Sequence, residues 1–273
     1  MNVDLKSKIE LYLPSLIQLI EGDLKKKRWK RLTEIFENQF NKLNEQYKKD
    51  EKFPLVKLSL YSTITGALNG ERQNIQFLDY INNVFKNLNS ILDKDEKILI
   101  KETLSNLLEF EKGFLNYLGE LSVLDNLIST GLYKLDKTEY RIKENGKGID
   151  FRFLNIQKSK YILVEVINIE LKDNKISSTE LMYQFLSNKL NDKLNDTDKS
   201  EILNYTLIPV IWGSLENILK VREFYKLTNF KIKRVEIPRV YIPFNVPNNP
   251  KKFVNKFGSI LTVFNGSTEE LKI

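Results

Sequence analysis

The chain has no cysteine and no histidine among its 273 residues. Those two absences exclude disulfides, Cys/His zinc sites, Ser-His-Asp and Cys-His catalysis, and every mechanism built on a histidine base. Any chemistry must run on carboxylates, Lys, Arg, Tyr, Ser or Thr. A metal held by such side chains would have oxygen ligands, which suit Mg²⁺ or Mn²⁺ rather than zinc. No apolar run reaches membrane-spanning length, and the opening MNVDLKSKIELYLPSL carries acids and a proline where a signal peptide has an apolar block. A cytoplasmic chain with no membrane partner is the expectation. The phosphate-loop pattern G-x-x-x-x-G-K-[ST] is also missing, and the NGKG fragment at 145–148 reads as a hairpin turn.

What is present is ordinary in bulk. Hydrophobic residues make up 41% and charged residues 29%, a balance suited to a globular chain with a substantial core. The formal charge of +7 is unevenly spread. Ten Lys and Arg lie between Asn217 and Gly258 against two acids, Glu223 and Glu236. A second basic cluster is KKKRWKR at 25–31. Such clusters supply phosphate attraction in nucleic-acid binders, but taken alone they more often form a solvated face. The candidate nucleic-acid contacts are Lys25, Lys26, Lys27, Arg28, Lys30 and Arg31, with Lys231, Lys233 and Arg234 in the second cluster. Trp29 begins an apolar stripe and reads as core. Glu216 and Glu223 read as a solvated helix face.

Periodicity divides the chain in two. Residues 1–100 read as a helical region. One apolar stripe runs through Trp29, Leu32, Phe36, Phe40, Leu43 and Tyr47, and another through Leu78, Ile81, Phe85, Leu88 and Leu92. Between them KFPLVKLSLYSTITGALNGE is ambiguous, with a turn at Asn69-Gly70. Asp93 is placed to cap the following helix, and an apolar pattern continues through Leu104, Leu107, Phe114, Leu118 and Leu121, where Gly113 and Gly119 are candidate breaks. After Gly131 the period shortens. A hairpin over TEYRIKENGKGIDFRFLN turns at Asn145-Gly146, and YILVEVINIEL follows as a central strand. Ser177 and Glu180 form a capping-box pattern for a helix with Tyr183, Leu186, Leu190 and Leu194 on one side. TLIPVIWG is a strand, SLENILKVREFYKL a helix and RVEIPRVYIPFN a proline-broken strand; the tail from Asn248 has no clear assignment. The fold class is α/β (α+β): a mixed central sheet flanked by helices over 101–273, preceded by the all-helical region.

Two of the strand-like runs carry one acid each, Asp150 in GIDFRF and Glu165 in YILVEVINIE. Burying an unpaired carboxylate is costly, so each needs a cation nearby. If the two strands are neighbours, the acids meet at one point of the sheet, where they repel unless a cation lies between them. Glu120, on the helix ahead of the hairpin, is a third acid. Three converging oxygen ligands would form a Mg²⁺ site.

These residues resemble the PD-(D/E)XK nucleases, the restriction-endonuclease-like superfamily. The resemblance rests on a helix bearing Glu (GELSVLDNLISTG), a hairpin strand bearing Asp (GIDF) and an apolar strand leading to Glu (ILVEV), then STELMYQFLSNKL and TLIPVIWG, and it covers residues 101 to 245. It implies a restriction-endonuclease-like sheet with Asp150 and Glu165 as ligands of Mg²⁺ or Mn²⁺. Glu120 would be an auxiliary ligand, and the Val166 carbonyl a further one. It also implies hydrolysis of phosphodiester bonds in DNA, often in restriction or host defence, with a second copy of the chain as an expected partner. One departure is clear: the family places Lys two residues after the strand Glu, and here that position is Ile167. Arg152, on the same face as Asp150, is the preferred replacement cation, with Lys172 and Lys189 the next candidates; Asn168 points to the other face. The catalytic set implied is therefore Asp150, Glu165, Glu120 and Arg152. The missing Lys leaves open a degenerate nuclease fold that binds nucleic acid or protein without cutting. A further alternative pairs the acids with Arg152 or Lys160 and needs no metal.

Overall fold

The computed structural model describes residues 5–20, 26–49, 59–109, 113–142, 144, 148–195, 204–246 and 249–265. It divides into two compact units, Met1–Leu121 and Ser122–Ile273. The expected division at residue 100 lies about a score of residues earlier than this one. Among the described residues no helix is long and apolar enough to cross a membrane.

The first unit is helical. It holds α1 (Leu5–Tyr12), α2 (Pro14–Ile20), α3 (Lys26–Lys49), α4 (Leu60–Leu68), α5 (Arg72–Ile91), α6 (Lys94–Leu99), α7 (Lys101–Glu109) and the start of α8 (Phe114–Ile128). The helical stripe on α5 is buried as its spacing requires: Leu78, Ile81, Phe85 and Leu88 all lie inside, followed by Leu92. On α3, Leu32 and Phe36 are buried, while the side chains of Phe40, Leu43 and Tyr47 lie outside the described residues. The ambiguous stretch resolves into α4, whose N-cap Ser59 and Ser62 exchange reciprocal hydrogen bonds. Asp93 caps α6 through the N–H groups of Asp95 and Glu96, with Glu96 reaching back to the Asp93 N–H. Gly113, at φ +109°, separates α7 from α8, a conformation open to glycine and strained for other residues. Gly119 stays inside α8 and breaks nothing.

The second unit is built on a six-stranded sheet in the order β1 (Tyr133–Tyr140), β2 (Ile149–Asn155), β3 (Lys160–Glu170), β4 (Tyr205–Trp212), β5 (Arg239–Val246) and β6 (Asn249–Ser259). β1, β2 and β3 form an antiparallel meander, β3, β4 and β5 run parallel, and β6 returns antiparallel to β5. The parallel steps are bridged by α9 (Thr179–Asn195) and α10 (Leu215–Thr228), as parallel strands demand. The unassigned tail supplies β6, and the expected turn at Asn145-Gly146 lies outside the described residues.

One face of this sheet and both crossover helices share a core. Leu163 and Ile169 of β3 and Tyr205, Leu207 and Ile211 of β4 cluster with Met182, Leu186 and Leu190 of α9 and Ile218, Val221 and Phe224 of α10. On the alternate positions Phe151, Phe153, Val164, Val166, Ile208 and Val210 are buried too. That explains why β3 and β4 read as near-continuous apolar runs. Two local expectations shift by one residue. The cap of α9 is Ser178, whose hydroxyl accepts from the Leu181 N–H, rather than Ser177. Met182 rather than Tyr183 faces the core, leaving Tyr183 more than half exposed.

Candidate acid and lysine site on the central strands

β2 and β3 pair in register from Asn155↔Lys160 to Phe151↔Val164. One step further, the same register sets Asp150 opposite Glu165. There the regular ladder ends, and the Val166 N–H donates to Asp150 Oδ2 at 2.6 Å instead of to a backbone carbonyl. A strand residue sends its N–H and C=O to the same side, so the Val166 carbonyl also opens toward Asp150. The two acids expected to meet on neighbouring strands therefore do so, at the point where the strands part.

Glu165 is 1% exposed, at the centre of the sheet between β2 and β4. Its charge is met by Lys193, whose Nζ lies 2.5 Å from Glu165 Oε1. Lys193 reaches it from α9, where Met182, Leu186 and Leu190 are buried and Lys193 follows one turn later on the same stripe. The helix thus carries three apolar residues into the core and ends the row with a cation against Glu165.

The electrostatics are unbalanced. Asp150 keeps some exposed surface, yet desolvation pushes its carboxyl up to about 7, aided by the charge of Glu165 and, more weakly, Glu139. The Val166 N–H and the Lys193 charge pull it down and do not win. Tyr205, on β4 opposite Leu163, is buried next to the pair. Burial raises its phenol, and the charges of Glu165 and Asp150 raise it further. Glu139 holds a left-handed φ of 47°, and a Cβ on Gly148 would stand 2.4 Å from its Oε2, so glycine there leaves the space the carboxylate fills.

Arg152 does not serve the acid pair as its replacement cation: its Nε donates to Asp136 Oδ2, and its guanidinium lies between the rings of Tyr140 and Tyr161, at 4.4 and 4.7 Å from their centroids. Lys172, Lys189 and Lys160 are exposed. Ile167 packs against the core cluster, and Asn168 accepts from Trp212 Nε1 at 2.8 Å. Glu120 is half-buried on α8, within the first unit. Among the described residues no three Asp or Glu gather closely enough to hold a metal ion. Of the basic candidates, Arg28 is engaged by Glu109 at 2.9 Å, while Lys30, Arg31, Lys231 and Lys233 are exposed. Arg234 is half-buried with a left-handed φ of 68°. The side chains of Lys25, Lys26 and Lys27 lie outside the described residues. Glu216 and Glu223 sit on the exposed side of α10, each beside a lysine, Lys220 and Lys226.

Lys193, Tyr205 and Glu139 are the residues that sequence reasoning missed. Lys193 had a legible signal, because it stands three residues after Leu190 on the apolar stripe of its helix. Tyr205 and Glu139 had none, since both depend on strand pairing. No family model matches the chain, and no curated protein or solved structure is significantly similar to it.

Proposed function

We propose that Asp150, Glu165 and Lys193 form a metal-assisted site for phosphodiester hydrolysis in DNA, of the PD-(D/E)XK type. The observation that carries this reading is the arrival of Lys193 at Glu165, which supplies from α9 the cation that Ile167 lacks. The chain order supports it as well: a helix, a three-strand meander, a crossover helix and a strand parallel to the third, with the acids at the centre. That order is compatible with the restriction-endonuclease-like arrangement that the motif order implies. The basic excess of the chain suits an anionic partner, and a cytoplasmic setting suits the substrate.

The donor set fits a hard divalent cation. Asp150 and Glu165 present oxygens, the Val166 carbonyl opens to the same side, and one lysine stands against two carboxylates. The upward displacement of Asp150 comes first from desolvation and then from the Glu165 charge, so an ionised Asp150 is costly there without a further cation. Asp150 and Glu165 would hold Mg²⁺ or Mn²⁺. Bound there, the cation would polarise a phosphodiester and make water more acidic. The chain's own part is to orient and balance charge: Val166 N–H fixes the Asp150 carboxylate, and Lys193 pairs with Glu165 and offers a cation to a phosphate oxygen.

A second reading has its own support. The Glu165–Lys193 ion pair is complete without a metal, and no three-acid group stands among the described residues. On that reading the pair is structural, and the protein binds nucleic acid or protein without cutting. The deciding experiment is cleavage of end-labelled plasmid and single-stranded DNA with Mg²⁺, Mn²⁺ or EDTA. Metal-dependent cutting, lost in Asp150→Ala, Glu165→Ala and Lys193→Met, is the expected result. Cutting that survives both acid substitutions, or none by the wild type on any substrate, sinks the nuclease reading.

A further inference from the structure

Arg152 has an arrangement that the acid pair does not use. Its guanidinium is held by Asp136 on one edge and lies between two tyrosine rings, Tyr140 of β1 and Tyr161 of β3. Tyr161 has one ring face covered by that guanidinium and is still 48% exposed. The face left open is a flat aromatic surface whose orientation is fixed from behind by a planar cation. Such a ring has little rotameric freedom left to lose when something stacks on it.

Its position is informative. Asp150 and Arg152 are alternate residues of β2 and share a face, about 7 Å apart along the strand. Tyr161 and Glu165 likewise share a face of β3, four residues or about 13 Å apart. The stack therefore lies on the acid pair's side of the sheet, toward the β2–β3 turn. That turn is ordered by Asn155, whose Oδ1 accepts from the Lys158 N–H at 2.9 Å, and it exposes Lys158 and Lys160. An exposed, rigid aromatic ring near the exposed Lys158 of the turn is the pairing that single-stranded nucleic acid requires: a π-face for a base and positive charge for the backbone.

Resting on the nuclease reading above, we propose that Tyr161, braced by Arg152 and Tyr140, is a stacking platform for a base of a single-stranded nucleic acid, with Lys158 contacting its phosphates. The strand would run along the β2–β3 hairpin from its turn toward Asp150 and Glu165. Arg152 is then a positioning residue for the platform, not a cation of the acid pair.

The test is fluorescence anisotropy of the full chain with labelled single-stranded oligothymidylate in EDTA, where binding is read without cleavage. Tyr161→Ala should weaken the Kd roughly 5- to 150-fold, the loss of one base–aromatic stack of about 1–3 kcal/mol. Tyr161→Trp should restore it, which a folding defect at this position would not allow. An abasic oligomer should bind the wild type as weakly as oligothymidylate binds Tyr161→Ala. A wild-type Kd in Tyr161→Ala, or binding of duplex alone, overturns the platform and leaves the nuclease reading standing. If the wild type binds no single strand, duplex or RNA, both fall together.

Discussion

Lys193 Nζ stands 2.5 Å from Glu165 Oε1, although Lys193 belongs to α9 and the position two residues after Glu165 is Ile167. The partnership joins a helix to the central strand it crosses over, so one ion pair ties the depth of α9 to the charge at the sheet's centre.

Removing the lysine should be felt in stability and in activity. Breaking a buried ion pair from one side costs about 3–5 kcal/mol, and the lower end applies here because the Lys193 side chain is 35% exposed. Lys193→Met should therefore unfold at lower denaturant by about 3 kcal/mol in equilibrium melts, with Lys193→Arg in between. At a temperature where both variants stay folded, the Met variant should lose ~10²–10⁴ in single-turnover cleavage rate. Full activity in Lys193→Met would remove the amine from the chemistry.

The pH dependence of stability tests Asp150. Its folded value of about 7 lies above the ordinary carboxylate value of about 4, so the folded state holds the proton more tightly. Stability from this group is fully present below about pH 4 and is lost as pH rises through about 7. Asp150→Asn keeps an acceptor for the Val166 N–H and removes the charge. Its melting temperature, measured against pH, should exceed the wild type's at pH 8 and match it near pH 4. Parallel curves for the two proteins would show that Asp150 titrates normally. Glu139→Gln should shrink the pH-dependent loss and complete it at a slightly lower pH, because a like charge that raises Asp150 has gone.

Divalent cations should reverse part of that loss. At pH 8, Mn²⁺ at a hundred times its Kd adds about 2.7 kcal/mol to the folded state. Calorimetric melts of the wild type should rise with Mn²⁺ or Mg²⁺ and fall back with EDTA. Asp150→Asn and Glu165→Gln should show no rise. An equal rise in all three places the ion elsewhere.

A cap in the first unit gives a prediction independent of function. Asp93 accepts from the N–H groups of Asp95 at 3.0 Å and Glu96 at 2.9 Å, and Glu96 Oε2 accepts from its backbone N–H at 2.9 Å. Asp93→Ala should destabilise α6 by about 1 kcal/mol, read as faster amide exchange in its first turn. Unchanged exchange would mean that neighbouring packing alone holds the helix start.

Several of these elements are legible in the sequence. The stripe Leu78–Leu88 predicted α5 because a helix repeats every 3.6 residues whatever surrounds it, and Asp93 announced its cap by the same local logic. Asp150 and Glu165 could be placed on consecutive strands from the turn signal and the β-branched run between polar ends. Arg152 shows the limit of such reading: sharing a face with Asp150 sets where it starts, but Asp136 and two tyrosines from neighbouring strands decide where its guanidinium rests.

By itself, then, the sequence determined the chemical alphabet and the local rhythm. Without cysteine or histidine any chemistry is left to carboxylates, Lys, Arg, Tyr, Ser and Thr, and the change of period after Gly131 divides helices from sheet. Those properties follow from residue identity and from contacts a few positions apart. The tertiary structure alone decided which cation meets Glu165, how far burial raises Asp150, and which face of Tyr161 stays open. Each depends on strand register and helix depth, and those are set by packing between residues far apart in the chain.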